Sequence, residues 1–144
     1  METGPHIRLV LWKAAKAIER ADLSSIAHTG LGLSDFTIME ALLHKGPLQI
    51  NRIGEKVLLS SGSMTAAVNR LENKLFVQRI QDPADARCTY VHLTKSGRKV
   101  IKDAYQRHRR NLEKIAGILT NEERTELVRL LKKIGFHAEQ GIAD

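Results

Sequence analysis

Apolar residues recur at helical spacing over most of this chain, and the pattern breaks at a few small-residue or turn-rich points. Between Ile7 and Leu23, Val10, Leu11, Ala14, Ala17, Ile18 and Ala21 predict one helix. His28 to Leu33 carries Gly30 and Gly32 and predicts a loop. Ser34 is the expected N-cap of a second helix through Leu43, because its hydroxyl can accept from an orphan N–H. Gly46-Pro47 ends it. A short helix over Gln49 to Val57 and a turn at Leu58 to Ser60 follow. Ser61 or Ser63 then caps a helix that runs to about Lys74.

The period then changes. Phe76 to Ile80 and Cys88 to Leu93 are β-prone, and Gln81 to Arg87 between them is rich in turn formers, which predicts a hairpin with a long loop. Thr94 caps a long helix over roughly Lys95 to Ile118, with Val100, Ala104, Leu112 and Ile115 on its apolar side. Thr120-Asn121-Glu122-Glu123 fits a capping box and opens a last helix with Leu127, Val128, Leu130, Leu131 and Ile134 inside. Four helices, a hairpin and two more helices make a mainly α fold with a small β-hairpin wing. This is the order of a winged helix-turn-helix, a module that places one helix in the major groove of DNA. Residues 1–144 form one unit in this reading, with the winged helix at 34–94. The apolar terminal helices at 5–27 and 95–140 need a partner surface, and a symmetric homodimer supplies it.

Charge sharpens the picture. The chain carries a formal +7, yet His44 to Arg110 alone holds 14 Lys and Arg against 5 Asp and Glu, a net +9. A basic middle favours an anionic partner such as nucleic acid. No apolar run reaches the length of a membrane span, and no signal peptide is recognisable. The single cysteine, Cys88, excludes an intramolecular disulfide and argues against an oxidising compartment and a cysteine-based zinc site. The cytoplasm is the expected location.

Ser61, Gly62, Ser63, Thr65 and Asn69 put small and polar groups at the start of the reading helix. Hydroxyls can bond base edges or phosphates, Asn can bond adenine bidentately, and the helix N-terminus favours a phosphate. Ser63 and Thr65 serve equally well as caps or solvated residues. Ala66, Val68 and Leu71 face inward or meet thymine methyls. Arg70 and Lys74, one turn apart, and Lys45, Arg52 and Lys56 are phosphate ligands or a solvated basic face; phosphate contacts position the protein without specifying sequence. On an extended strand Asp85 and Arg87 share a face, so the carboxylate can orient the guanidinium for a narrow minor groove.

These residues resemble the MarR family of bacterial winged-helix transcription regulators. The likeness lies in Ile53-Gly54-Glu55-Lys56, Val68-Asn69-Arg70-Leu71-Glu72, Asp82-Pro83-Ala84-Asp85-Ala86-Arg87 and Leu93-Thr94-Lys95-Ser96-Gly97-Arg98, and it covers nearly the whole chain. It implies a homodimer joined by its first and last two helices on a palindromic duplex DNA operator, with wings in the minor groove. It implies a repressor released by a small aromatic or phenolic ligand or an oxidant. Leu43 to Leu48 with Leu58 to Ser63 resembles the branch that senses quinones and hydroquinones. Two departures stand out: Ala84 and Ala86 occupy wing positions where Arg is frequent, and Leu75 stands where Gly commonly ends the reading helix.

The resemblance implies an effector pocket between reading module and dimer helices, with Trp12, His28, Phe36, Met39 and His108 as candidate lining residues; each also fits a plain packing or surface role. His28, in the Gly-bearing loop near the expected pocket mouth, is the polar candidate. Cys88, beside Arg87, is the one redox candidate, or else a half-buried hairpin residue. No Gly-rich phosphate loop, metal-ligand spacing or nucleophile-base pair suggests an enzyme, and no cofactor or metal is expected. The competing reading is a winged helix acting as an architectural or protein- or RNA-binding module, although exposed stacking aromatics for RNA are scarce.

Overall fold

The computed structural model describes residues 1–57 and 61–141. The expected turn at Leu58 to Ser60 and the side chains of Lys56 and Ser61 lie outside the described residues. The chain forms two compact units, Met1–Arg109 and Arg110–Asp144.

In the first unit α1 spans Gly4–Ile26, opened by Thr3, whose side chain accepts from the His6 N–H. A single 3-10 turn, Ala27–Thr29, follows where a plain loop was expected. Helix α2 covers Leu33–Lys45 and its N-cap is Gly32, not Ser34. The helix starts early because Leu33 packs against the core. Strand β1 (Leu48–Gln49), α3 (Ile50–Val57) and α4 (Ser61–Asn73) come next, then β2 (Val77–Gln81), β3 (Thr89–Leu93) and α5 (Lys95–Ala116), which runs into the second unit. Ser63 therefore lies inside α4 and is not its cap.

The wing has three strands in the order β1-β3-β2, all antiparallel. Arg79 of β2 stands opposite Val91, and Leu48 of β1 stands opposite the same Val91 on its other edge. Strand β1 was not anticipated: two residues are too short to show alternation.

One apolar core joins these elements. Phe36, Ile38, Met39 and Leu42 of α2, Ile53 of α3, Met64, Ala67, Val68 and Leu71 of α4, Val77, Val91, Ile101 and Ala104 are all buried. Each large side chain so buried contributes roughly 1.5–3 kcal/mol by removal from water. In the second unit α6 (Asn121–Glu139) opens on the expected capping box: Thr120 Oγ1 accepts from the Glu123 N–H, and Glu123 accepts from the Thr120 N–H. Its apolar residues, expected inside, are exposed in the single chain, as are Val10, Leu11 and Ile18 of α1. Among the described residues no helix is long and apolar enough to cross a membrane.

Candidate nucleic-acid interface

Helix α4 has two sharply different faces. Met64, Ala67, Val68 and Leu71 sit at i, i+3, i+4 and i+7 and are fully buried. Between them Ser63, Thr65, Ala66, Asn69 and Arg70 are exposed. Val68 and Leu71 thus belong to the core, whereas Ala66 does not face inward. The outer face combines two hydroxyls, a carboxamide and a methyl, the groups that base edges in the major groove can engage.

The end of α4 explains two sequence features at once. Leu75 adopts φ 62, a left-handed backbone that glycine tolerates better. Its N–H donates to the Glu72 carbonyl at 2.9 Å and the Phe76 N–H donates to the Leu71 carbonyl at 3.0 Å. These two bonds form a Schellman motif with Leu in place of the usual Gly. The reversed chain lets the Leu75 carbonyl accept from both Thr94 Oγ1 (2.6 Å) and Ser96 Oγ (3.0 Å). Thr94 also caps α5, accepting from the Gly97 N–H at 3.0 Å. A Cβ on Gly97 would lie 1.9 Å from the Phe76 carbonyl oxygen. The Leu-Thr-x-x-Gly run is therefore the clamp that locks the reading helix to the start of α5.

Most of the proposed phosphate ligands already hold intramolecular partners. Arg70 forks onto buried Asp35 of α2, with Nη2 donating at 2.8 Å and Nε at 3.4 Å. The hydrogen bond to Asp35 pushes the Arg70 guanidinium pKa up further. Lys74 Nζ reaches the Gly30 carbonyl at 3.5 Å, and Arg52 pairs with Glu55 on the exposed side of α3 at 3.5 Å. Arg70 thus braces the reading helix against α2, a role its exposed position in sequence did not announce. Arg79, missed at the sequence level, binds Asn69 and Glu72 from strand β2. The signal was weak, since an Arg in a strand pattern reads as an ordinary solvated position.

At the wing tip Arg87 is 91% exposed. Its Nε and Nη2 donate to the two Asp85 carboxylate oxygens at 3.1 and 3.3 Å. The pair exists as expected, but for another reason. Both residues lie in the loop between β2 and β3, and the Arg87 N–H donates to Asp85 Oδ1 in an Asx turn. A second Asx turn at Asp82 accepts from the Ala84 N–H at 2.9 Å. Bonding from the Arg87 side chain, then from its N–H, holds the Asp85 carboxyl below the usual carboxylate range. Cys88 is half-buried with its Sγ 3.7 Å from Asp85. Desolvation first, then the Asp85 charge, push its thiol above the ordinary range.

The effector candidates divide. Phe36 and Met39 are core residues, and His108 is buried against Phe36 with ring centroids 4.9 Å apart. Trp12 and His28 are exposed. Around His108 the structure gathers Ser25 and Asp22 of α1, which were not anticipated. Ser25 Oγ hydrogen-bonds the Asp22 carbonyl at 2.8 Å and lies 3.1 Å from His108 Nδ1. Asp22 Oδ1 lies 3.6 Å from the same nitrogen, and desolvation chiefly raises the Asp22 pKa.

A helix with a buried apolar face and a polar outer face, braced by α2 and flanked by a three-stranded wing, defines a winged helix-turn-helix, DNA-binding transcriptional regulator. Residues 31–89 match the MarR family. The HTH-type transcriptional regulator MhqR of Bacillus subtilis (strain 168) is 33% identical over 139 residues, covering 96% of each chain. The chain belongs to the MarR family. Its fold also matches a mutant MarR from E. coli complexed with operator DNA, at 21% identity and TM-score 0.80 over 91% of this chain and 94% of that one. It matches Bordetella bronchiseptica BpsR, described with 6-hydroxynicotinic acid as a regulator of its DNA binding, at 22% identity and TM-score 0.79 over 90% and 98%.

Proposed function

We propose that the protein is a homodimeric repressor of a palindromic operator, released by a small aromatic or phenolic ligand and acting in the cytoplasm. The observation that carries the reading is the outer face of α4, where Ser63, Thr65, Ala66 and Asn69 stand exposed beside the wing. In this reading that face enters the major groove and Arg87 enters the minor groove. Ser61, Arg52 and Lys56 add contacts at the near phosphates, and Arg70 and Lys74 meet the backbone from their braced positions. Ligand control comes into the proposal from the family resemblance, BpsR of the same fold being described with 6-hydroxynicotinic acid as a regulator of its DNA binding. The ring pair Phe36 and His108 is the proposed contact for an aromatic effector. The raised thiol pKa of Cys88 favours a ligand over an oxidant as the releasing signal.

Fluorescence anisotropy of the purified protein on its own upstream DNA, against a scrambled duplex, tests this at two salt concentrations with and without a quinone. A specific, salt-sensitive complex that the quinone releases is expected. Arg87→Ala weakens that complex by ~1–3 kcal/mol. Specific binding indifferent to the quinone and to other phenolic compounds removes the effector from the proposal. Equal binding to scrambled and genomic duplexes points instead to an architectural module.

A further inference from the structure

Arg79 joins the wing to the reading helix through the Asn69 carboxamide on the outer face of α4. Its Nη2 donates to Asn69 Oδ1 at 2.7 Å and its Nη1 donates to Glu72 Oε1 at 2.8 Å. The Arg79 N–H adds a bond to Glu72 Oε2 at 3.3 Å. Asn69 and Glu72 lie three residues apart, so one planar guanidinium spans both. Glu72 takes Nη1 and the backbone N–H, while Asn69 takes Nη2.

Guanidinium offers only donors. The Asn69 atom that meets it at 2.7 Å is therefore the oxygen, and chemistry alone settles the orientation of the carboxamide. A bidentate contact to adenine needs both ends of that group turned to the base, the oxygen accepting from N6 and the nitrogen donating to N7. With Oδ1 held by Arg79 and turned toward the wing, the bidentate pose is lost and Asn69 offers the base its amino group, a donor. In the major groove guanine O6 and N7, thymine O4 and adenine N7 accept, whereas adenine N6 and cytosine N4 donate, so cytosine alone offers an incoming donor no acceptor.

We infer that Arg79 is a positioning residue that fixes Asn69 as a hydrogen-bond donor, so that the base facing Asn69 is read by its acceptors: guanine and thymine are favoured, adenine keeps only N7 and loses its bidentate advantage, and cytosine is rejected. The inference rests on the proposed groove-reading role of α4. It replaces the adenine contact that the residue type alone suggests.

The test measures binding of the full-length protein to its operator with all four bases placed in turn at each position, at fixed salt. One position is expected to favour guanine or thymine over cytosine by roughly 5-fold, the low end of the range for a bidentate base contact, with adenine between them. Asn69→Ala abolishes that preference. Arg79→Met, which keeps the aliphatic stem, lowers it and restores binding of adenine there. The same Arg79→Met change has no further effect at that position when made on top of Asn69→Ala. If Arg79→Met does not fold, Asn69→Asp asks the same question: a carboxylate keeps the bond to Arg79 but only accepts, so the preference turns toward adenine and cytosine. A wild-type preference for adenine at the Asn69-dependent position overturns the inference. So does an Arg79→Met variant that weakens all four bases equally and flattens the salt dependence, which marks a phosphate contact. Specific binding that Asn69→Ala leaves unchanged also overturns it while the DNA-reading proposal stands. Absence of any sequence preference removes both.

Discussion

Helices α4 and α6 carry the same apolar spacing and meet opposite fates. Met64, Ala67, Val68 and Leu71 stand at i, i+3, i+4 and i+7 in α4 and are fully buried. Leu127, Leu130, Leu131 and Ile134 repeat that spacing in α6 and remain 41–47% exposed in the single chain. Period alone therefore identifies a face but not what covers it. In α4 the cover comes from α2, α3 and the wing. In α6 these side chains are exposed among the described residues, and the proposed second protomer is the economical cover.

The largest effect separates the two helices directly. Leu71→Ala is expected to cost ~2–5 kcal/mol, because it leaves a cavity in a fully buried site. Urea unfolding followed by circular dichroism measures it. Ile134→Asp, at the matching position of α6, should leave the winged-helix core folded yet abolish self-association, read by sedimentation. An unaltered sedimentation profile would remove α6 from the dimer interface.

The clamp behind α4 comes next. Gly97→Ala forces a methyl against the Phe76 backbone, which cannot yield as a flexible side chain would. Overpacking of this kind costs ~1–3 kcal/mol. Thermal unfolding with an unchanged midpoint would show that Gly97 is not a required close approach. Leu75→Gly should act in the opposite direction. Leu75 is 72% exposed and left-handed, so its side chain gains little burial while the backbone bears strain. Removing that strain stabilises by about 1 kcal/mol, partly offset by the greater freedom of glycine in the unfolded chain. A lower midpoint for Leu75→Gly would mean that the Schellman end carries no strain.

These elements also show what could be read in the sequence. The reading helix, the hairpin, the Thr94 cap and the Thr120 capping box follow from local pattern, because each is fixed by neighbours within a few residues. The MarR resemblance located the wing and the clamp motif without saying why Gly97 is needed. The ties that brace the site were not legible. Arg70 to Asp35 spans 35 residues, Ser25 to His108 spans 83, and Arg79 reaches back ten residues to Asn69. Such contacts depend on how elements pack, and a single sequence offers no local signal for them. The Asp85 and Arg87 pair was found from a strand periodicity that does not apply, since an Asx turn sets it instead.

The smallest expected effect concerns Cys88 and sharpens the contrast between a wing that binds and a wing that senses. Only the thiolate reacts, so a raised pKa lowers the reactive fraction at neutral pH. Desolvation is the first cause and the Asp85 charge the second. Alkylation of Cys88 by iodoacetamide at pH 7 should therefore be slower than that of a free cysteine peptide, and should reach the peptide's rate only at higher pH. Asp85→Asn removes the carboxylate but not the burial, so it recovers part of the difference, and added salt has less to screen in that variant. A wild-type rate at or above the peptide's would contradict this, and would return the wing thiol to the candidates for an oxidant sensor. A slow rate that Asp85→Asn leaves untouched would assign the whole effect to burial. It would also leave Asp85 with one task, holding the Arg87 guanidinium at the tip of the wing.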